Sequence, residues 1–266
     1  MKNTWIIARK EINSYFASPI AYLLIAFFAL IFGFGFFTAT RDFVRFSFQA
    51  QMMGRGMPMN INEQIIRPLL GFAGTVALFL IPMITMRLFA EEKRTGTIEL
   101  LMTSPVRDID IILGKWLAAM LLYAAVLATS MANIGLLFVW GQPDWKPVLI
   151  GYLGLLLQGG TLLAIGAFIS TTTRNQIIAG GVTFFVSLLL WLLSWFTAFD
   201  TSGWAQVINY LSIVTHFDNF AKGVLDLRDV IFYVSMIFFA LFITSRSMES
   251  LRWRRSEERR VGKECR

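Results

Sequence analysis

The chain has 266 residues, of which 56% are hydrophobic and 15% charged, and its formal net charge is +7. A water-soluble fold of this length cannot bury so much apolar surface, so the composition excludes an ordinary soluble protein and indicates lipid as the solvent. The basic residues lie in short clusters between apolar runs, which argues against nucleic-acid binding and is typical of the cytoplasmic loops of membrane proteins.

The first element is an amphipathic stretch over residues 1–18, in which apolar residues such as Trp5 and charged residues such as Glu11 are mixed at roughly helical spacing. This spacing predicts a helix that lies in the membrane interface. Pro19 stands where a new helix can begin. No small-residue cleavage site follows the first apolar run, so we expect it to stay in the membrane rather than be removed as a signal peptide.

Six apolar runs are close to the ~20 residues that cross ~30 Å of hydrocarbon. They cover residues 20–40, 68–86, 116–140, 147–170, 177–199 and 230–245, and the sixth is the shortest. The predicted fold class is therefore all-α, a polytopic membrane protein in which residues 1–250 form a single transmembrane domain. The composition changes abruptly at residues 256–266, and we interpret this segment as a non-native tail.

Orientation follows from the basic residues in alternate connections. Without residues 256–266, one side of the membrane has thirteen Lys and Arg and the other has seven. The positive-inside rule then predicts that both termini lie in the cytoplasm. On the opposite side, the connection over residues 200–229 contains Trp204, Val207, Ile208, Leu211 and Val214, which predict short interfacial helices.

The cytoplasmic connection between the second and third runs begins with opposite charges, EEKR, at residues 91–94. Gly96 permits a sharp turn, Thr97 can cap a short helix, and Pro105 helps to end that helix. A short helix held between two spans can dock into a groove of a soluble partner and transmit motion. By composition alone, a solvated loop that only joins two spans is an equally good interpretation.

The run EEKRTGTIELLMTSPVRDIDIILGKW, residues 91–116, resembles the cytoplasmic signature of ABC transporter permeases of the type-2 exporter family. The resemblance implies that a cytoplasmic coupling helix in this connection engages a separate ATPase subunit. The positions that carry the resemblance, and that it implies take part in ATPase coupling, are Glu91, Glu92, Lys93, Arg94, Gly96, Thr97, Glu99, Leu100, Leu101, Pro105, Gly114 and Lys115.

Two further segments resemble one branch of that family, which includes permeases of gliding motility and of copper-enzyme maturation. These are residues 2–23 (KNTWIIARKEINSYFASPIAYL) and residues 215–229 (THFDNFAKGVLDLRD). The resemblance covers nearly all of residues 1–250. It implies a permease in the bacterial plasma membrane that exports an unidentified substrate.

An ABC transporter hydrolyses ATP, and this sequence contains no G-x-x-x-x-G-K-[ST] loop; Gly114 and Lys115 are followed by Trp116. We therefore expect no cofactor in this chain and place ATP and Mg²⁺ in the partner ATPase. The resemblance also implies a second permease partner, either another copy of this chain or a related permease, with alternating exposure of a path between the two.

Two other functions compete with export. A membrane scaffold with the same fold would couple an ATPase to an envelope machine, such as that of gliding motility, without transporting anything. An ion-gradient carrier or channel needs intramembrane charges, and no acidic residue falls deep inside a predicted span.

Two minor features have simpler interpretations than metal binding. His216 is the only histidine, and we expect a structural or interfacial role for it rather than that of a metal ligand. Met52, Met53, Met57 and Met59 lie in the first outer loop and offer thioethers to Cu(I), although flexible apolar contact is the commoner use of methionine.

Overall fold

The computed structural model describes residues 2–53, 60–98, 106–141, 143–197 and 203–264, and among them the side chains of Lys2, Thr197, Ala205 and residues 251–264 are not described. The described chain is helical, without strands. Its helices are α1 (Lys2–Ala17), α2 (Pro19–Met52), α3 (Arg67–Thr85), α4 (Ala90–Thr95), α5 (Asp108–Trp140), α6 (Trp145–Thr172), α7 (Gln176–Thr197), α8 (Gly203–Leu211), α9 (Ile213–Ala221) and α10 (Leu227–Glu264), and a π-helical turn at Asn62–Ile66 leads into α3.

Within these ranges, six helical segments are long and apolar enough to cross a bilayer. They are Pro19–Met52, Asn62–Thr95, Asp108–Trp140, Trp145–Thr172, Gln176–Phe196 and Leu227–Ser250. Each overlaps one of the predicted runs, so the all-α polytopic fold is confirmed. The sixth helical segment is longer than the predicted apolar run over residues 230–245. Polar residues at both ends of the run continue the helix, but they do not add to the apolar stretch by which the span was predicted.

The first span extends well past its predicted carboxyl-terminal bound. α2 begins at Pro19, as expected, and the Ser18 hydroxyl accepts a hydrogen bond from the Ile20 amide at 3.5 Å. The helix then continues past residue 40 to Met52. At 1.5 Å per residue, its 34 residues are about 51 Å long, more than the ~30 Å of hydrocarbon, so one end of α2 extends beyond the membrane core.

The core centres on α6, whose small residues let the neighbouring helices approach closely. A Cβ added to Gly151 would lie 2.3 Å from Leu70 of α3, and one added to Gly159 would lie 2.1 Å from Tyr123 of α5. Both distances are shorter than real Cβ contacts, so a larger residue at either crossing would force its neighbour to shift. Helices α2, α7 and α10 cover this centre and leave much of their apolar surface facing outward.

The six spans alternate in direction, so the molecule has two ends. The end that carries α1 and α4, where α3 and α6 finish, is called the α4 end below. The opposite end, where α6 and α10 begin, carries α8 and α9 and is called the α9 end. A hydrogen bond from Asn62 to the Asp144 carbonyl at 3.3 Å joins two connections at the α9 end.

Residues 200–229 contain two short helices, as predicted, but these differ in environment. α8 exposes Trp204 and Val207. α9 instead turns its apolar face into the bundle and buries Ile213, Phe217 and Phe220, because helix α6 offers Gly154 as a close contact for Phe220. The single domain over residues 1–250 stays a prediction, as does the foreign origin of residues 256–266, where the α10 backbone continues to Glu264.

Candidate functional site

The charged connection after α3 begins with a break in the helix. Pro82 lies inside α3 and has no amide hydrogen, and a four-residue turn separates the end of α3 at Thr85 from α4. The first amides of α4 have no partner within their own helix. The Ser170 hydroxyl of α6 accepts hydrogen bonds from the amides of Phe89 and Ala90, both at 3.0 Å, and so caps α4 from a neighbouring helix.

Glu92 of α4 points into the protein and pairs with Lys115 of α5. The distance from Lys115 Nζ to Glu92 Oε1 is 2.8 Å, and the same ammonium lies 3.2 Å from Glu11 Oε1 of α1. The Lys115 side chain is only 2% exposed and lies over the Phe89 ring at 5.4 Å. These three charged residues, Glu11, Glu92 and Lys115, form what we call the buried triad, which joins α1, α4 and α5.

α1 lies against the start of α5. The Thr4 hydroxyl donates to Asp110 Oδ1 at 2.7 Å, and a Cβ added to Gly114 would lie 2.9 Å from the Ile7 side chain. Gly114 therefore serves close packing between the two helices. Burial raises the pKa of Tyr15 on the same face of α1, and the charge of Glu11 raises it further.

A second set of contacts ties α4 to the ends of α6 and α10. The Lys93 ammonium donates to the Thr171 carbonyl. The Thr171 hydroxyl in turn bonds to the Ser247 hydroxyl of α10 at 3.0 Å. Together with the Ser170 cap and the buried triad, these contacts connect α4 to α1, α5, α6 and, through Thr171, to α10.

The other face of α4 is open to solvent. Arg94, Gly96 and Thr97 are exposed, whereas Glu91 is half-buried and lies 3.6 Å from the Arg87 guanidinium. Gly96 has a positive φ of 76°, a conformation that glycine adopts without strain, and it ends α4 as the predicted sharp turn. The chain then turns back inward, since Ile98 is 2% exposed.

The structure thus divides the predicted site residues into three groups. Arg94, Gly96 and Thr97 face outward, with Glu91 and Lys93 at the edge of that face. Glu92, Gly114 and Lys115 face inward and hold helices together. The remaining predicted positions lie outside the described residues, as does most of the short helix that Thr97 is predicted to cap: Glu99, Leu100, Leu101 and Pro105.

Sequence reasoning missed Glu11 and Ser170 as site residues. The sequence predicts Glu11 only as one of the charged residues of an interfacial helix, whereas in the structure it shares with Thr4, Ile7 and Tyr15 the face of α1 that packs against the bundle. Ser170 belongs to a run of hydroxyl residues, Ser170 to Thr173, at the end of a span. Such a run is the one sequence signal that indicates a capping site there.

At the α9 end, His216 has partners on both ring nitrogens, and Asp218 binds two cations. The Arg67 guanidinium lies 2.7 Å from Asp218 Oδ1, and the Lys222 ammonium lies 2.5 Å from Asp218 Oδ2. Burial alone would raise the pKa of Asp218, but hydrogen bonds from Lys222 and Arg67 and their charges hold it below its usual value. A cavity of about 350 Å³ opens beside this group.

The described part of the chain offers few candidate metal ligands. No group of three or more His, Cys, Asp or Glu residues there is arranged to hold a metal ion. Met52 and Met53 are exposed near the end of α2, and Met57 and Met59 lie outside the described residues. The Cu(I) hypothesis therefore stays untested.

Comparison with known proteins gives one result that spans most of the chain. A family model described as ABC-2 family transporter protein matches residues 5–245. No curated protein matches the chain. The matched range includes the first five spans, α4 and the buried triad in full, together with most of α1 and of the sixth span.

Proposed function

The chain belongs to the ABC-2 family of transporter proteins, and from this we propose that it is the permease subunit of an exporter driven by a separate ATPase chain. As a permease component it supplies the membrane-spanning path of an ABC transporter. The proposal adds the direction of transport, the separate ATPase, and the α4 face as the surface that receives it.

The observation that carries the proposal is the set of contacts around α4. A free loop would need no internal anchors, yet α4 is capped by Ser170 and bound through Glu92 to the buried Lys115. A push on α4 therefore reaches α1, α5 and α6 through short, directional contacts rather than through a flexible tether. Buried ion pairs of this kind are costly to break, which favours motion of the joined helices as a unit.

The exposed face of α4 supplies the contact. Arg94 and Thr97 are exposed directly beside the anchored residues. The proposed ATPase-binding surface consists of these two residues, Gly96 and the neighbouring residues 99–105. The family resemblance treats residues 91–116 as one ATPase-coupling region. We propose instead that only the outer face binds the ATPase, while the inner face anchors α4 to the neighbouring helices.

The remaining parts of the proposal follow from the family. ATP and Mg²⁺ belong to the partner ATPase, and a second permease, identical or related, completes the path. The α4 end, with both termini, lies in the cytoplasm of a bacterial cell, and the α9 end faces outward. Gliding motility and copper-enzyme maturation are the two pathways that the branch resemblance proposes.

The test is reconstitution of the chain with an ATPase encoded beside it. We expect the two to co-purify and to move substrate into or out of vesicles only with ATP. Arg94→Glu reverses an exposed charge of the proposed surface and should weaken ATPase binding roughly tenfold while leaving the permease folded. Arg41→Glu is the matched control, since Arg41 lies on α2, away from α4, and its exposed side chain pairs only with the neighbouring Asp42 at 3.4 Å.

Two outcomes contradict the proposal. Normal ATPase binding and coupling in both Arg94→Glu and a deletion of residues 96–105 would overturn the assignment of this surface. ATP hydrolysis without flux of any tested substrate would instead support the scaffold alternative, for which no described contact provides evidence.

A further inference from the structure

His216, the only histidine of the sequence, lies in α9 and is buried where α9 meets α8 and α10. Its Nδ1 lies 2.6 Å from Asp229 Oδ1 of α10, and its Nε2 lies 2.9 Å from the backbone carbonyl oxygen of Tyr210 in α8. The imidazole stacks on the Phe232 ring at 3.9 Å, and its residue is 5% exposed. Asn219 donates from Nδ2 to the other Asp229 oxygen at 2.8 Å.

The partners determine how many protons the ring needs. A backbone carbonyl oxygen can only accept, so Nε2 must carry a hydrogen to bond Tyr210. The Asp229 carboxylate also accepts, and its second oxygen already takes a hydrogen bond from Asn219. With Asp229 ionised, both ring nitrogens must donate, which only the doubly protonated imidazolium can do.

We propose that His216 and Asp229 form a proton-dependent latch that holds the last turn of α8 against α9 and α10. When the imidazolium loses a proton, the remaining hydrogen stays on Nδ1 beside the carboxylate. Nε2 then presents a lone pair to the lone pairs of the Tyr210 carbonyl, and the bond to α8 is lost. The role of this cluster does not depend on the proposed export function.

The local structure of α8 favours a cation at this place. Tyr210 is the residue before the last of α8, so its carbonyl is one of the terminal groups without a partner in the helix. The negative end of the helix dipole attracts the imidazolium. Other contacts hold the turn more weakly: the Thr215 hydroxyl donates to the Asn209 carbonyl at 2.9 Å, and Arg228 lies over the Tyr210 ring at 4.9 Å.

The other ionisable groups nearest the ring come from α8, α9 and α10. α10 contributes Arg228 and Tyr233, and the Tyr233 hydroxyl is bonded to the Ile213 carbonyl. α8 contributes Tyr210, whose ring meets the imidazole edge at 5.1 Å. α9 itself carries Asp218, which pairs with Lys222, the residue that directly follows the helix.

Of the other three helices packed against α9, two contain ionisable residues and one contains none. Arg67 of α3 is bound to Asp218. The Tyr152 hydroxyl of α6 lies 2.6 Å from the Ser130 hydroxyl, and Lys146 is the other ionisable residue of α6. α7 contains no ionisable residue. Asp229 is therefore the charge that bonds the imidazole directly.

The direction of the pH effect follows from proton counting. At acidic pH, the imidazolium exists whether α8 is latched or released, so the latch has its full strength. As the pH rises, the released state gives up a proton that the latched state requires. Raising the pH therefore favours release of α8, and lowering it favours the latched state.

The single histidine allows a direct test on the full chain. ¹⁵N-histidine labelling, with purification through a tag that contains no histidine, gives one imidazole whose two nitrogens are read by NMR. Starting at about pH 6, both nitrogens should be protonated. Titration upward should convert Nε2 to a bare nitrogen, while amide exchange in residues 203–211, corrected for its intrinsic pH dependence, becomes about tenfold faster.

Two variants separate the latch from a merely structural histidine. In Asp229→Asn, the amide can donate to Nδ1, so a neutral imidazole keeps its Nε2 hydrogen for Tyr210, and α8 should stay protected at every pH. Asn219→Ala removes a neighbouring hydrogen bond but neither imidazole bond, and it should keep the wild-type pH dependence.

Three outcomes overturn the proposal. They are a bare ring nitrogen in the wild type at the starting pH, a ring that keeps both protons up to about pH 10, and α8 exchange that does not change while the ring titrates. The first two are read on the wild type alone, so they decide the matter even if Asp229→Asn does not fold.

Discussion

The role of Lys115 is interpreted differently once its surroundings in the structure are known. In the sequence it is the end of a Gly-Lys pair that the family resemblance assigns to ATPase coupling. In the structure its side chain is 2% exposed and bonded to Glu92 and Glu11, so it cannot itself touch a partner. It acts by positioning α1 and α4, and the two carboxylates beside it need its charge to remain buried.

Lys115→Met keeps the length of the side chain and removes the charge. It leaves Glu11 and Glu92 without their shared cation, and we expect the free energy of unfolding in detergent to fall by about 3 kcal/mol. Adding Glu92→Gln should restore part of this loss, because it removes one of the stranded charges. Equal stability of wild type and Lys115→Met would show that the buried triad does not hold the helices together.

At the scale of the element, α6 and α4 differ in what their sequences reveal. The apolar run predicts α6 as a span, and its glycines indicate close helix packing, but not with which neighbour. The structure places Gly159 against Tyr123 of the same chain. α4 is too short to show any periodicity, and its position depends on Ser170, which lies 81 residues from Phe89 in sequence.

Gly159→Ala tests the packing of α6. The added Cβ would lie 2.1 Å from the Tyr123 ring, so the buried ring or the two helices must shift, at a cost of about 1–3 kcal/mol in unfolding free energy. Gly33→Ala is the matched control, since a Cβ there meets nothing within 4 Å and lies in a span as well. Thermal unfolding of the two variants should differ clearly, and equal midpoints would contradict this packing.

For the whole molecule, alternating spans put the buried triad at one end and His216 at the other. The orientation of the two ends is predicted from the sequence, in which the connections on the side of α4 contain thirteen Lys and Arg and those on the opposite side contain seven. It agrees with an ATPase that reaches α4 from inside the cell and with a latch that senses the pH outside.

Orientation is tested with single cysteines in a Cys265→Ser background. Thr95→Cys lies at the exposed end of α4, and Val224→Cys lies at the α9 end, where Val224 is 54% exposed. A membrane-impermeant maleimide added to intact spheroplasts should label Val224→Cys at once and Thr95→Cys only after lysis. The reverse pattern would invert the topology and move the proposed ATPase surface to the wrong side.

The sequence by itself determined the all-α fold, the number of crossings and the location of the charged connection. Hydropathy and turn residues act over a few neighbouring positions, so these features can be read locally. Only the tertiary structure decided that Glu92 and Lys115 face inward, that Ser170 caps α4, and that both nitrogens of His216 are bonded. The contacts of Lys115 with Glu11 and of Thr4 with Asp110 join residues 104 and 106 positions apart. Such pairs depend on which helices pack together and how they are rotated, and no local pattern specifies either.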